Sequence, residues 1–351
     1  MEKVAINQLQ PGMLIAETIL GENGKALIIE GTSLTENLIK RLADMEKEFT
    51  YVYHEQTIEA DPGEVLETRV LIHARNLLSE YLPTDLYKKS NERAFQRFDI
   101  VSNMLKKIVN NPRIASFFLD LRAIDEYTME HSIHVCVISL LVGTGLNMNE
   151  ELLETLGTGA LLHDVGRIQL PKELRGKVGG FSGEVELQFL EHTKYGYQLL
   201  RDQGLSPEVA RIALYHHEKW DGSGPNRLAG DKVDLLSRIV AVCNVYDEYV
   251  GSIASQRYLP HEAIEYLYGT GDYYYDARVV KAFTSSVCIY PLGSVVKLNT
   301  GEIGVVVNVD KNIAPRPIVK LCYDRNNEKI KYPQQIDLST ETTLFISSIL
   351  W

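Results

Sequence analysis

The sequence predicts a mainly α-helical protein with small β-containing units at both ends. Two observations carry that expectation. From about residue 116 to residue 285, apolar side chains recur at helical spacing. Before and after this region the texture changes to short β-rich runs set between turn residues.

The elements follow in chain order. Residues 1–57 read as a small α/β unit: "AINQLQPGMLIAETIL" alternates like a strand broken at Pro11-Gly12, "SLTENLIKRLADME" starts a helix at Ser33, and "FTYVYHE" is β-rich. Residues 58–115 are charged with spaced apolar positions, as in "ETRVLIHARNLLSEYL", and are expected to form linker helices. Residues 116–285 hold "EHSIHVCVISLLVGTGL", "NEELLETLGTGALLHD", "EVELQFLEHTKYGYQLLRDQ", "SPEVARIALYHHE" and "VDLLSRIVAVCNVYDEYVGS", each with helical periodicity. Pro207 directly after Ser206 marks a helix start, a capping hydroxyl followed by a proline at the first helical position. Residues 286–351, with "GSVVKLNTGEIGVVVNVD" and "PIVKLCYD", are expected to form a small antiparallel β unit without catalytic residues.

Composition narrows the function classes. With 45% hydrophobic and 24% charged residues the chain has a globular composition, and no apolar run approaches the roughly 20 residues of a membrane span. The start has no apolar core of a secretory leader, and the four cysteines are widely spaced without a CxxC, so a cytoplasmic protein with reduced thiols is expected. A formal net charge of −11 argues against DNA as a partner, because a phosphate backbone repels such a surface. A phosphate-bearing ligand would need a local cluster of positive side chains or metal ions.

Six of the nine histidines, His131, His134, His163, His192, His216 and His217, fall between 131 and 217, and Asp164 follows His163 directly. Imidazole nitrogens and carboxylate oxygens suit iron, manganese or zinc in open, hydrolytic sites. A lone helical histidine is more often a surface or hydrogen-bonded residue than a ligand. For His54, His73 and His261 a surface or capping role is the default.

The order of these residues resembles a known family. "EYTMEHSIHV", "LLHDVGRIQLP", "FLEHTKYGYQLL", "HHEKWDGSG", "RIVAVCNVYDEY" and "SQRY" follow the order and spacing of the HD-GYP group of HD-domain metal-dependent phosphohydrolases, over about residues 120–290. The flanking "LQPGMLIAETIL" and "YPLGSVVKLNTGEIGVVV" are similar to regions that flank this domain in related proteins. The resemblance implies an HD-type helical bundle that holds two divalent transition metal ions, iron or manganese, and hydrolyses cyclic di-GMP or a related cyclic dinucleotide. It implies metal ligands at His131, His163, Asp164, His192, His216, His217 and Asn244, with Asp164 between the ions. Two ions lower the pKa of water and clamp phosphoryl oxygens, which is the chemistry such a ligand set serves. Asp164 and Arg167 are the expected catalytic residues, and Arg167, Lys177 and Arg257 the expected substrate contacts.

Three positions depart from the family pattern. Asn244 stands where the family has a ligand aspartate, and an amide oxygen coordinates without bringing charge. Asp247, one helical turn on, matches a structural aspartate rather than a ligand. Arg167 replaces a lysine; it keeps the charge and binds phosphate, but does not donate a proton. Gly222-Ser223-Gly224-Pro225-Asn226 lacks the tyrosine that names the group, and Trp220 just before it reads as a packing residue. His134, three residues after His131, matches no family ligand. A second reading follows from these departures: a degenerate member that binds a nucleotide or a signalling protein partner without turnover. A hydrolase of other nucleotides, such as guanosine tetraphosphate, is a third. The helical linkers make a homodimer plausible, although no heptad run establishes one.

Overall fold

The computed structural model describes residues 2–15, 19–20, 26–28, 34–44, 49–53, 70–71, 73–74, 77–78, 81, 92–111, 113–114, 116–117, 126–175, 182–250, 258–290, 293–308 and 316–350. The chain divides into two units, residues 1–76 and 77–351, a division that falls inside the expected 58–115 linker.

In the first unit, β1 (Glu2–Ala5), β2 (Leu14–Ile15) and β5 (Phe49–Tyr53) form an antiparallel sheet with β5 in the middle. Strands β3 (Ile19–Leu20) and β4 (Ala26–Ile28) pair separately. Helix α1 (Glu36–Asp44) packs its apolar stripe on this sheet, so that Val4, Ile15, Leu34, Leu42 and Val52 share one buried core. Ser33 lies outside the described residues; the hydroxyl of Thr35 accepts the Leu38 N–H and serves as the cap.

The second unit is built around one helix. Helix α3 (Glu126–Gly145) contacts α2 (Glu92–Val109), α4 (Glu150–Leu161), α8 (Leu235–Val250) and α10 (Ala277–Ser286). That surround explains its sequence: "HVCVISLLVG" has no polar face because every face is covered, and Ile133 and the whole run from Val135 to Val142 are buried. Among the described residues no helix is long and apolar enough to cross a membrane.

Helix α4 begins at Asn149, whose side chain caps the Leu152 N–H, and ends at Leu162, where the chain tightens into a 3₁₀ turn, Val165–Gln169. A short helix α5 (Lys172–Arg175) follows, then α6 (Glu184–Asp202) and α7 (Pro207–Tyr215). The cap expected at Ser206-Pro207 is present: Ser206 Oγ accepts the Val209 N–H, and the proline occupies the first turn, where its missing N–H is harmless. Helix α6 packs on both the 3₁₀ turn and α7, and α7 on α4 and α8. Helix α9 (Pro260–Gly269) and α10 complete the bundle.

The C-terminal β unit is an antiparallel sheet of β6 (Val295–Leu298), β7 (Ile303–Asn308), β8 (Ile318–Tyr323), β9 (Gln335–Asp337) and β10 (Ile346–Ile349), in the order β10-β6-β7-β8-β9. Val296, Leu298, Val306, Val319 and Ile346 face its core. His261 is not the surface or capping residue expected for it. It is buried, its ring contacts Phe345 just before β10, and its Nδ1 lies 2.8 Å from the Tyr290 hydroxyl, so it links the bundle to the sheet.

Candidate metal centre

The histidines that are scattered over the sequence converge because each sits where a bundle element faces the same interior point. His131 projects from α3, His163 and Asp164 from the junction between α4 and the 3₁₀ turn, His192 from α6, His216 and His217 from the end of α7, and Asn244 from α8. Two groups of ligand atoms result. His192, His216 and His217 form one, and His131, His163 and Asp164 the other; within each group the atoms lie within 4.8 Å of one another. Asp164 stands between the groups. Its Oδ1 lies 3.2 Å from His192 Nε2 and 3.8 Å from His216 Nε2, while its Oδ2 lies 3.4 Å from His163 Nε2 and 3.8 Å from His131 Nε2.

Three of the histidines share a device. Nδ1 of His163 bonds the Ala160 carbonyl at 2.8 Å, Nδ1 of His192 the Phe189 carbonyl at 2.6 Å, and Nδ1 of His216 the Ala213 carbonyl at 2.9 Å. In each case the acceptor is three residues upstream, so the ring folds back on its own helix. A carbonyl only accepts, so Nδ1 carries a proton and Nε2 is the nitrogen turned towards the interior. The outcome is a set of imidazoles oriented as ligands before any ion arrives.

Electrostatics agree with this tautomer. Burial pushes the His163 imidazole down to about 4, and burial together with the neighbouring histidines holds His216 and His217 well below the ordinary value. All three are therefore neutral at pH 7. Burial alone would raise Asp164, but the Arg167 guanidinium beside it holds it well below the usual carboxylate range.

Removing the metal exposes the cost of this arrangement as a pH dependence. Unfolded imidazoles take up protons as the pH falls through about 6.5, whereas folded His163, His216 and His217 resist protonation. Stability is thus complete above about 6.5 and is lost as the pH drops towards about 4, the value for His163. His131 acts in the opposite sense, because its pKa is raised, and offsets part of the loss. Each suppressed protonation is worth roughly 1.4 kcal/mol per pH unit. Thermal unfolding of chelator-treated protein between pH 7 and pH 4.5 checks the slope; a flat profile would remove these imidazoles from the interior.

His131 is held differently. Asp247 Oδ2 accepts from its Nδ1 at 2.7 Å, and the Asn244 amide oxygen lies 2.9 Å from its Nε2. Burial lowers its pKa, but the Asp247 hydrogen bond and charge outweigh burial and raise it. Asp247 also accepts from His134 Nδ1 at 2.8 Å through its other oxygen. His134 thus stands behind the carboxylate that orients His131, and outside both ligand groups. Asp247→Asn is expected to destabilise the metal-free protein by roughly 3 kcal/mol, as when a buried ion pair loses one partner. It also lowers metal affinity on the His131 side by about 10 to 100-fold, the usual effect of an outer partner. Calorimetric unfolding and metal titration check the two effects separately.

The residues fit a transition metal. His163 Nε2 and His217 Nε2 are buried without a hydrogen bond, and the Asp164 carboxylate has the Arg167 ion pair on Oδ2 but no hydrogen-bond partner on Oδ1, an expensive condition for polar atoms unless an ion serves them. His192 Nε2 and His216 Nε2 lie 3.2 Å apart, so both ring nitrogens are aimed at one interior point. Atoms ligating one ion through bonds of about 2.1 Å are themselves roughly 3 to 3.5 Å apart, which matches this pair and the Asn244–His131 pair.

Arg167 is 1% exposed, with Nη2 at 2.8 Å from Asp164 Oδ2 and its guanidinium 5.0 Å from the centre of the Phe189 ring. Its Nε and Nη1 are buried without a partner. The two remaining expected substrate contacts, Lys177 and Arg257, lie outside the described residues.

The acids of "HHEKWDGSGPN" have other duties. Glu218 is buried, and its carboxylate accepts the Asn226 N–H at 2.6 Å, the Asn226 amide at 3.2 Å and the Leu228 N–H at 2.9 Å. It therefore pins the turn that lacks the tyrosine. Gly224 makes this possible, because a Cβ there would sit 2.6 Å from Glu218 Cα. Asp221 caps the Ser223 N–H. Trp220 is a packing residue, flanked by the guanidinium groups of Arg238 and Arg278 at 5.4 and 5.7 Å. Sequence reasoning missed the Glu218 clamp, the three carbonyl partners and Glu248, whose Oε1 accepts the Asn244 Nδ2–H at 3.0 Å. Only the last had a legible signal, since residues four apart on a helix share a face. Burial raises the Glu248 carboxyl above its ordinary value, against the pull of His131 and Arg167.

Residues 116–279 match the HD domain family, and residues 295–350 match the KOW domain associated with HD domain. The chain is 31% identical over 246 residues to a cyclic di-GMP phosphodiesterase of Pseudomonas aeruginosa, covering 68% of this chain and 58% of that protein. It is 35% identical over 146 residues to a cyclic di-GMP phosphodiesterase response regulator of Xanthomonas campestris, covering 40% of this chain and 39% of that protein. Among solved structures, an HDG"Y"P protein from Bdellovibrio bacteriovorus aligns with 80% of this chain and 97% of its own, at 17% identity and a TM-score of 0.44. The chain thus spans well under two thirds of the length of these first two relatives. With the His-Asp pair, four further histidines and a helical bundle that gathers them, residues 116–279 belong to the HD-domain family.

Proposed function

We propose that this protein is a metal-dependent phosphodiesterase that hydrolyses cyclic di-GMP or a related cyclic dinucleotide, using two divalent transition metal ions, iron or manganese. The observation that carries the proposal is the pair of buried ligand groups joined by Asp164, with the Nδ1 atoms of His163, His192 and His216 tied to carbonyls. The relatives' names supply the substrate class. His192, His216 and His217 would hold one ion, and His131, His163 and Asn244 the other, with Asp164 between them. Bound there, the ions supply Lewis acidity towards a phosphodiester and lower the pKa of water.

The chain's own residues do the rest. Arg167 already spends Nη2 on Asp164, and its unpaired Nε and Nη1 are free to take a phosphate oxygen. Lys177 and Arg257 add the positive charge that a ligand with two phosphates requires from a chain of net charge −11. Arg167, unable to give up its proton, positions the phosphate and transfers none.

Elemental analysis of the purified protein together with cyclic di-GMP turnover tests this reading. The expected result is two ions per chain and turnover that disappears in His163→Ala. A protein that takes up no transition metal on reconstitution overturns it. The second reading, a binding module without turnover, is favoured by one observation: a neutral amide, Asn244, occupies a place beside His131 where a charged ligand would hold an ion better. Metal binding with nucleotide affinity but no hydrolysis would support that reading instead.

A further inference from the structure

Asn244 is the weakest member of the candidate ligand set, and its surroundings bear on how it serves there. An amide presents either an oxygen, which ligates a metal, or an NH₂ group, which does not. Its two neighbours differ in kind. Glu248, one helical turn on and half-buried, offers Oε1 at 3.0 Å, and a carboxylate oxygen accepts; His131 Nε2 lies 2.9 Å away on the other side. With the NH₂ committed to Glu248, the amide cannot rotate without losing that bond. Its oxygen is then fixed towards His131, on the side of His163 and Asp164.

We propose that Asn244 and Glu248 act together as a divided carboxylate, in which Asn244 gives the ligand oxygen and Glu248 fixes its direction and supplies the missing negative charge. Glu248 is a positioning residue and touches the ion only through Asn244. The hydrogen bond polarises the amide, moving electron density onto Oδ1, and the charge sits one hydrogen bond from the coordination sphere, where it balances a divalent cation. This rests on the two-ion reading above. It adds an explanation for a bundle that places a buried amide beside His131: the carboxylate stands four positions further along α8, one hydrogen bond away.

The test is calorimetric titration of manganese(II) into the full chain, stripped of metal, for wild type, Glu248→Gln, Glu248→Ala, Asn244→Asp and the double variant Asn244→Asp/Glu248→Ala. The electron paramagnetic resonance spectrum of the manganese serves as a second readout of ion pairing. Wild type should take two ions. Glu248→Gln, which keeps size and an acceptor but loses charge, should weaken one of the two sites by about 10 to 100-fold and leave the other unchanged. Glu248→Ala should weaken that site at least as much. The double variant, with its carboxylate at position 244 itself, should return to within about threefold of wild type. That rescue separates charge placement from damage to the fold, since two substitutions in α8 would not repair a misfolded helix. Asn244→Asp alone sets two carboxylates side by side and should gain less than the double variant. Wild-type affinity in both Glu248 variants overturns the inference, as does a double variant no tighter than Glu248→Ala. Wild type binding fewer than two ions overturns the two-ion reading itself, and this inference with it.

Discussion

On the proposed function, Asp164→Asn is expected to release metal from both ligand groups and to lower phosphodiester turnover by more than about 100-fold, beyond the 10 to 100-fold typical of an outer partner. The reason is its position: one carboxylate oxygen faces His192 and His216, and the other faces His131 and His163. Asparagine keeps the shape but turns one of those oxygens into an N–H donor, which cannot ligate. A second effect comes with the first. Arg167 loses its only carboxylate partner in the described site while remaining buried, and an uncompensated buried charge costs about 3–5 kcal/mol. The two effects separate in Asp164→Asn/Arg167→Gln, which should recover part of the stability but none of the metal. Elemental analysis beside thermal unfolding reads both. Full metal content in Asp164→Asn would take Asp164 out of the shared position.

Gly166→Ala is the largest structural change expected from the smallest substitution. The 3₁₀ turn that follows the His-Asp pair approaches α6 so closely that a Cβ on Gly166 would collide with the carbonyl oxygen of His192 and the backbone N of Gly196. Both obstacles are backbone atoms of a helix, so no side chain can rotate out of the way. Overpacking typically costs about 1–3 kcal/mol and occasionally more, and this site belongs at the upper end. The damage also reaches the metal centre, because the colliding atoms belong to His192 and the helical turn after it. Gly269→Ala, where a Cβ meets nothing within 4 Å, is the control and should be near neutral. Equal behaviour of the two variants in thermal unfolding and metal uptake would contradict the close approach.

The candidate site was legible in outline because its chemistry demands particular residue types at particular places in the helices. His131, the His163-Asp164 pair, His192 and His216-His217 were singled out because their order resembles the HD-GYP pattern, and the bundle brings them together. The His-Asp pair owes its geometry to the tightening of α4 into a 3₁₀ turn, which lets two consecutive side chains face one interior point. The bundle was legible from helical periodicity, and the terminal sheets from β-branched runs between turns. Ser206-Pro207 worked as a start signal because capping is local: the hydroxyl and the N–H it serves are three residues apart.

What stayed hidden depends on backbone atoms or on distant partners. No residue type announces that the carbonyls of Ala160, Phe189 and Ala213 will take the Nδ1 protons, since every residue carries a carbonyl. His261 looked unoccupied in sequence because its partners, Tyr290 and Phe345, lie far along the chain. His134 sits three residues from a candidate ligand, yet it serves Asp247, more than a hundred residues away.

The sequence by itself determined the helical class, the β-rich ends and the set of residues able to bind metal, because periodicity, turn chemistry and ligand type are properties of short segments. Only the tertiary structure decided which nitrogen of each imidazole is turned towards the interior, which carboxylate stands between the two ligand groups, and that Glu218 grips the turn while Glu248 faces Asn244. Those are matters of direction. Direction is set when helices from distant parts of the chain pack together and bury one polar point between them, where each donor must find its acceptor or leave a lone pair free.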